Sequence, residues 1–291
     1  MSDIRVLTAR RWIAGLAATA VLLAGAAFLL WQHFYPVEAA AGWSVRVYLD
    51  DLPKVSALAK DPDGNLFITL ESSGHQGAVL VVDNEGRRQR VLEGLSKPDG
   101  LQSFKGGMAI SQEVNDSPVI LLRHGLTQVL FSGNSIEGLA SDGHHLFAIE
   151  DRKAAGRLLR FDPTAGVVST LREGLTEAEG VAICPDGGLF YSEKGRGWVR
   201  KYAEGGADPI VAAALNQPSF LLCNAAGLWL TEDATHRARL LHIAPDGSIH
   251  TVLSGLRSGQ TILEIGPGRF LVAEQGRGRI LELTRVQNAA Q

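Results

Sequence analysis

The chain has 291 residues, is 45% hydrophobic and carries a formal net charge of −3. That length can bury a large core, and the slightly acidic balance offers no basic field for nucleic acid. Thirty-three glycines beside only 7% aromatic residues suit a turn-rich β protein better than a helical one.

Residues 1–11 hold Arg5, Arg10 and Arg11, and residues 12–31 follow without a charge. At 1.5 Å rise per residue, twenty helical positions span roughly 30 Å, the hydrocarbon thickness of a bilayer. Trp12 and Trp31 stand at its two ends, where amphipathic rings favour the headgroup region. The expectation is a transmembrane helix with the basic N-terminus in the cytoplasm and the rest of the chain outside, in the periplasm beyond an inner membrane. The alternative is a cleaved signal peptide, for which "VEAAAG" offers a small-residue site at Ala39 to Ala41. Residues 32–41 read as a linker, residues 42–286 as the folded body and residues 287–291 as a tail.

The body repeats itself. Units start at Val55, Pro98, Ile136, Ala178, Pro218 and Ser258, 38 to 43 residues apart. Each holds four short apolar runs separated by turns rich in Asp-Gly and Gly-Gly, pairs that reach positive φ at low steric cost. Four strands in about 40 residues is the pattern of a propeller blade, so the predicted fold is an all-β, six-bladed β-propeller. The last unit, ending in "GRGRILELTR", has three strands. "WSVRVYLDDL" from Trp43 can supply its outer strand, closing the ring and removing a free edge.

Cys184 and Cys223 fall at matching places in consecutive units. With packed sheets about 10 Å apart and a disulfide needing Cα atoms within about 7 Å, two buried free thiols are expected.

First strands line the channel of a propeller. The position ahead of the glycine in "xEGL" reads Ser56, Asp99, Glu137, Glu179, Ser219 and Gly259 around the ring. Carboxylates converging there repel unless protonated or neutralised. Asp99, Glu137 and Glu179 are therefore the candidate ligands of a divalent cation, Ca²⁺ foremost and Mg²⁺ second. The alternative is that they bind only backbone amides and water. A second series, Glu150, Glu193, Glu232 and Glu274, recurs at the ends of second strands, with Glu71 and Glu113 one residue late. It reads as structural, tying the amides of the loop that follows. Asp61, Asp63 and Asp186 belong to turns on the opposite face.

The loops after second strands carry His75 and His236, candidate general bases by their near-neutral pKa. They also carry Arg196, Arg237 and Arg277, a candidate cationic rim for an anionic ligand or a partner. No G-x-S-x-G, H-E-x-x-H or C-x-x-C motif is present.

"AEGVAICPDGGLFYSEKGRGWVRKYAEGG" (178–206) resembles the repeat of strictosidine-synthase-like and paraoxonase-like propellers, while "KPDGLQS" and "NAAGLWLTED" resemble the senescence-marker-protein/gluconolactonase family. The resemblance implies a six-bladed propeller that hydrolyses lactones or esters at a channel-bound divalent cation, usually calcium. Asp99 and Glu179 stand where such families place a metal-binding asparagine before glycine, and Glu137 is their counterpart in the blade between. Ser56 and Ser219 depart from the pattern, at positions where those families carry acids. The expectation is thus a membrane-anchored hydrolase of small lactones or esters. The alternative is a non-catalytic propeller that binds an envelope protein or a small anion.

Overall fold

A computed structural model describes the backbone of residues 2–286 and the side chains of residues 12–31 and 35–286. The side chains of Arg5, Arg10 and Arg11 and the tail 287–291 lie outside the described residues. Two units emerge, residues 1–36 and Val37–Gln291.

The first unit is a single helix, Ser2–Phe34. Its segment Trp12–Trp31, with a mean hydropathy of 2.3, is long and apolar enough to cross a membrane. Length and composition suit a membrane span and a signal sequence equally.

The second unit is a six-bladed β-propeller. Blade one holds the strands Val55–Lys60, Leu66–Leu70, Gly77–Val82 and Arg88–Leu95, paired in sequence order. Blades two to five repeat this arrangement with first strands Pro98–Phe104, Ile136–Ser141, Ala178–Ile183 and Pro218–Asn224. Blade six begins at Gly259–Gly266 and takes its outer strand from Trp43–Leu49, which pairs antiparallel with Arg279–Arg285 from Trp43↔Arg285 to Leu49↔Ile280. The segment before it, read as linker, contributes as well. Glu38–Ala39 pairs with Ser254 and Leu253 as a fifth strand on blade five. The chain thus descends one blade's edge and returns along the next.

The core consists of six apolar clusters among the described residues, one between each pair of neighbouring blades. Between blades five and six, for example, Trp229, Leu240, Phe270 and Leu281 are buried together, with Val37, Ala39, Trp43 and Val45 packed against them. No blade can bury both of its faces alone, which is why the pattern must recur.

One connection departs from the free-thiol expectation. Cys184 and Cys223 form a disulfide between blades four and five, with Cα atoms 4.8 Å apart. Sheets of a propeller fan outward from the axis, so first strands approach far closer than the mean sheet spacing. The glycines ahead of the cysteines' level show the same crowding. A Cβ on Gly100, Gly138 or Gly180 would collide with the carbonyl oxygen of Glu137, Glu179 or Ser219 in the following blade.

Candidate functional site

Every first strand carries a β-bulge just after its first residue, seen as the register step between Val55 and Leu58, Pro98 and Leu101, Ile136 and Leu139, and their counterparts. Bulges re-aim a side chain, and here the second residue of each strand is turned into the channel. The resulting buried ring is Ser56, Asp99, Glu137, Glu179, Ser219 and Gln260. Gln260 replaces the expected Gly259, because Gly259 pairs with Glu274 and so stands level with Val55 and Ile136.

A second ring lies outside the first: Glu71, Glu113, Asp151, Lys194, Asp233 and Gln275, each one residue beyond the partner of the strand's first residue. Its geometry is set by a recurring strained residue. Lys54, Lys97, Ser135, Glu177, Gln217 and Ser258 all have φ between 47° and 57°. Their carbonyls accept the amides of Glu71, Glu113, Asp151, Lys194, Asp233 and Gln275 at 2.7–3.0 Å. Non-glycine residues in the left-handed region cost about 1–3 kcal/mol each and persist where their surroundings over-determine them.

Together the rings enclose a cavity of about 200 Å³ lined by Glu71, Lys97, Asp99, Glu113, Glu137, Asp151, Glu179, Lys194, Asp233, Gln260 and Gln275. Two ammonium groups divide it. Lys194 Nζ bridges Glu179 and Asp233, the latter at 2.6 Å, while Gln260 Nε2 holds the other Asp233 oxygen at 2.9 Å. Lys97 lies between Glu113 and Glu71, and Gln275 Nε2 donates to Glu71 at 2.6 Å. Ser56 donates to Asp99.

Carboxylate oxygens gather in two clusters, both including the Glu113 that also pairs with Lys97. One oxygen each from Glu71, Asp99 and Glu113 lies within 4.8 Å of the others, and the same holds for Glu113, Glu137 and Asp151. Of the three acids read from the sequence, Asp99 and Glu137 enter these clusters, whereas Glu179 faces an ammonium. Burial drives the Asp99 and Glu137 carboxyls well above the usual range, reinforced at Asp99 by Glu71 and at Glu137 by Glu179. Burial also raises Asp151. Glu179 is pushed up to about 8 by burial, against the opposing pull of Lys194.

The loop candidates stand elsewhere. His75 is exposed, with Nδ1 3.3 Å from both Gly94 O and Ser96 Oγ, and neither it nor the exposed His236 lines the cavity. Arg237 is exposed. Arg196 leans on Thr176 Oγ1 at 3.0 Å and Glu193 at 3.2 Å. Arg277 is no rim cation, since its side chain is 7% exposed and its guanidinium is engaged by buried Glu274.

Glu150, Glu193, Glu232 and Glu274 do tie amides, each one in the connection before the blade: Asn134, Thr176, Asn216 and Arg257 donate to them at 2.9–3.0 Å, and Glu232 also accepts the following amide of Arg239 at 3.1 Å. Arg157 and Arg239 clasp Glu150 and Glu232 from the third strand. In blade two Gln112 takes this role, accepting from Ser96 N at 2.9 Å. Glu113 is thereby released to the cavity. The one-residue lateness of Glu71 and Glu113 was the sequence signal for the second ring.

The strictosidine synthase family profile matches residues 128–204 of this chain. Among curated proteins no sequence relative is found. Solved structures share the fold over most of the length. A gluconolactonase from Xanthomonas campestris is 13% identical, with 84% of this chain and 91% of that chain covered and a TM-score of 0.69. A second gluconolactonase-type protein is 15% identical over 86% and 97% of the two chains, also with a TM-score of 0.69. An auxiliary nutrient binding protein from Bacteroides thetaiotaomicron is 14% identical over 86% and 78%, with a TM-score of 0.68. At such identities the likeness is one of fold, and the fold serves hydrolases and binding proteins alike.

Proposed function

We propose that the chain is a membrane-anchored, exported propeller that holds a divalent cation, calcium or magnesium, at its channel mouth and hydrolyses lactones or related esters there. The observation that carries this reading is the pair of oxygen clusters built on Glu113. The donor set fits a hard cation: all donors are carboxylate oxygens, and Asp151 Oδ1 is buried with no hydrogen-bond partner among the described residues. Glu113, Glu137 and Asp151 would hold the ion, with Asp99 and Glu71 gathered on the other cluster of Glu113. When bound, such an ion polarises a carbonyl oxygen and stabilises the negative charge that develops on it.

The chain's own residues supply the proton transfers. Asp233, fixed by Lys194 and Gln260, takes a proton from the water that attacks the carbonyl carbon. Glu179 keeps its proton up to about pH 8 and gives it to the ring oxygen as the carbon–oxygen bond breaks. Lys194 lies between the two carboxyls and fixes their relative position.

The apolar helix and the disulfide both support export, since disulfides persist in oxidising compartments. The three arginines ahead of the helix favour a cytoplasmic N-terminus at the inner membrane and a propeller in the periplasm.

The test is a lactone panel with the full chain, with and without chelator. Turnover that chelator removes, and that falls at least roughly a hundredfold in Asp233→Asn, is expected. Calcium binding without turnover on any member would leave a non-catalytic binding propeller; the Bacteroides neighbour is named as a nutrient binding protein. An anion-binding rim is disfavoured, because the mouth is acidic and Arg277 is engaged.

A further inference from the structure

The segment that closes the ring leaves a notch at the end of the propeller away from the acidic mouth. Gln275 stands at the mouth, and the strand Arg279–Arg285 runs from there to the far end. At that end Ala40 N donates to Val252 O of blade five at 2.9 Å, while Trp43 stands opposite Arg285 of blade six. The chain crosses between the two blades at Gly42, whose φ is 83°.

The crossing and the neighbouring turns wall a cavity of about 430 Å³. Trp43, Asn224, His242 and Glu264 line it half-buried, and His250 and Arg285 line it exposed. Trp229 and Phe270 reach it only as its floor, being 2% and 1% exposed members of the core between blades five and six.

The charges around this cavity do not cancel. His242 and His250 are cross-strand partners with ring centroids 6.4 Å apart. His242 is held by Nε2, which donates to Ala226 O at 2.9 Å. Burial lowers its pKa, and His250 and Arg285 lower it further, which places both beside it. The Arg285 guanidinium has no ion pair or hydrogen bond among the described residues. Glu264 is the one carboxylate of the lining, and Asn224 Nδ2 donates to it at 2.9 Å.

An always-charged planar fork thus stands at the edge of a wall of rings, with Trp43, Trp229 and His242 following one another at 5.7 and 4.3 Å. The volume lies within the roughly 300–1,000 Å³ usual for small-molecule sites. At roughly 30 Å³ for each water-sized group it holds about fourteen heavy atoms. A carboxylate matches the single arginine fork, whereas a phosphate would carry a second negative charge toward Glu264.

We propose that this notch binds a fused-ring aromatic carboxylate, its ring against Trp43 and His242 and its carboxylate on Arg285 and His250. The site does not rest on the hydrolase reading, and no residue lines both this cavity and the mouth. Because Ala40 and Ala41 form one wall, an occupant also pins the ring-closing segment.

The test is isothermal titration of the full chain in lipid nanodiscs with 2-naphthoate, using empty nanodiscs as the reference for uptake into lipid. Three companions are titrated alongside: 2-naphthalenemethanol has the ring without the charge, acetate the charge without the ring, and 2-naphthyl phosphate the larger charge. 2-Naphthoate is expected to bind at one site, at least roughly tenfold tighter than the alcohol or acetate. Arg285→Gln should remove the preference over the alcohol, and Arg285→Lys, which keeps the charge without the fork, should retain part of it. Glu264→Gln keeps an acceptor for Asn224 and should strengthen 2-naphthoate binding. No heat at millimolar 2-naphthoate overturns the site. Equal affinity for the alcohol overturns the anionic end, and equal affinity for acetate overturns the ring wall. Tighter binding of the phosphate overturns the choice of carboxylate, and affinity unmoved by both Arg285→Gln and Glu264→Gln overturns the placement. Calcium and chelator should leave the titration unchanged. A titration that chelator abolishes places the anion at the mouth and overturns this site, whereas its failure on any other count leaves the lactone panel to decide the hydrolase reading.

Discussion

Lys194 places a positive charge on one side of the acidic channel mouth. Its ammonium compensates Glu179 and Asp233, both largely withdrawn from water. Replacing it by methionine removes the ammonium that pairs with Asp233 and holds Glu179, and breaking a partly buried pair in this way costs about 3 kcal/mol. Urea unfolding of Lys194→Met at pH 7.5 is expected to show that loss, with millimolar calcium restoring part of it. Glu179 makes a second, pH-dependent prediction. Its carboxyl titrates near 8 in the fold against an ordinary 4.5, because burial disfavours the charge. Between those values the folded chain keeps a proton that the unfolded chain has released. Stability therefore falls as pH rises from about 4.5 to about 8. Asp99 and Glu137, raised for the same reason, act in the same direction. Thermal midpoints measured across that window should decline in chelator and flatten in calcium. The sequence disclosed the inner acids but not their lysines, because "SEKGRG" and "LSKPDG" read as ordinary loop charges. What turns both lysines inward is the backbone: the left-handed Lys97 itself, and the amide of Lys194 bound to the left-handed Glu177.

At the scale of the strand, the glycine after each channel acid is explained by its neighbour. Gly138 lies against the backbone of Glu179 in the next blade, with Val181 N and Ile149 also close. The acid and the glycine are thus two consequences of one bulge: the acid points into the channel and the glycine admits the adjoining strand. Gly138→Ala is expected to destabilise the fold by roughly 1–3 kcal/mol, the usual cost of overpacking, and to shift Glu179 as well. The paired reading is a drop in urea midpoint with a weakened calcium titration. Gly166→Ala, in an open turn on blade three, serves as the control for lost backbone freedom. The second-strand acids show where pattern reasoning stops. Their regular spacing marked them as structural, yet it carried no sign of whether the amides they hold precede or follow them.

For the whole molecule, the fold was legible because a propeller writes its period into the chain. Six units of about 40 residues, with the last one strand short, left few other architectures. Distances between blades were not legible. Cys223 lies near the end of one first strand and Cys184 just past the end of its neighbour, and they pair across 4.8 Å. The bridge closes a separation of 39 residues, for which the chain-entropy estimate is about 4 kcal/mol. Serine at both positions should lower unfolding stability by about that amount in oxidising buffer. The same variant and the wild type should converge when reductant is added. A chain cut to residues 37–291 should fold as the full chain does, since that unit contains all the blade strands. Removing residues 37–49 as well should leave blades five and six with exposed edges and give aggregates on size exclusion.

The way in which the N-terminal segment wraps two blade edges has a mechanical consequence. Tension applied at the start of the second unit meets first the two pairings of Glu38–Ala39, the Ala40 amide on Val252 O and a few apolar contacts. That short strand would peel first. The seven-residue strand beyond the turn at Gly42, which keeps the ring shut, would feel the pull only afterwards. The first strand is therefore the weaker of the two seams, and its loss leaves the ring-closing strand paired.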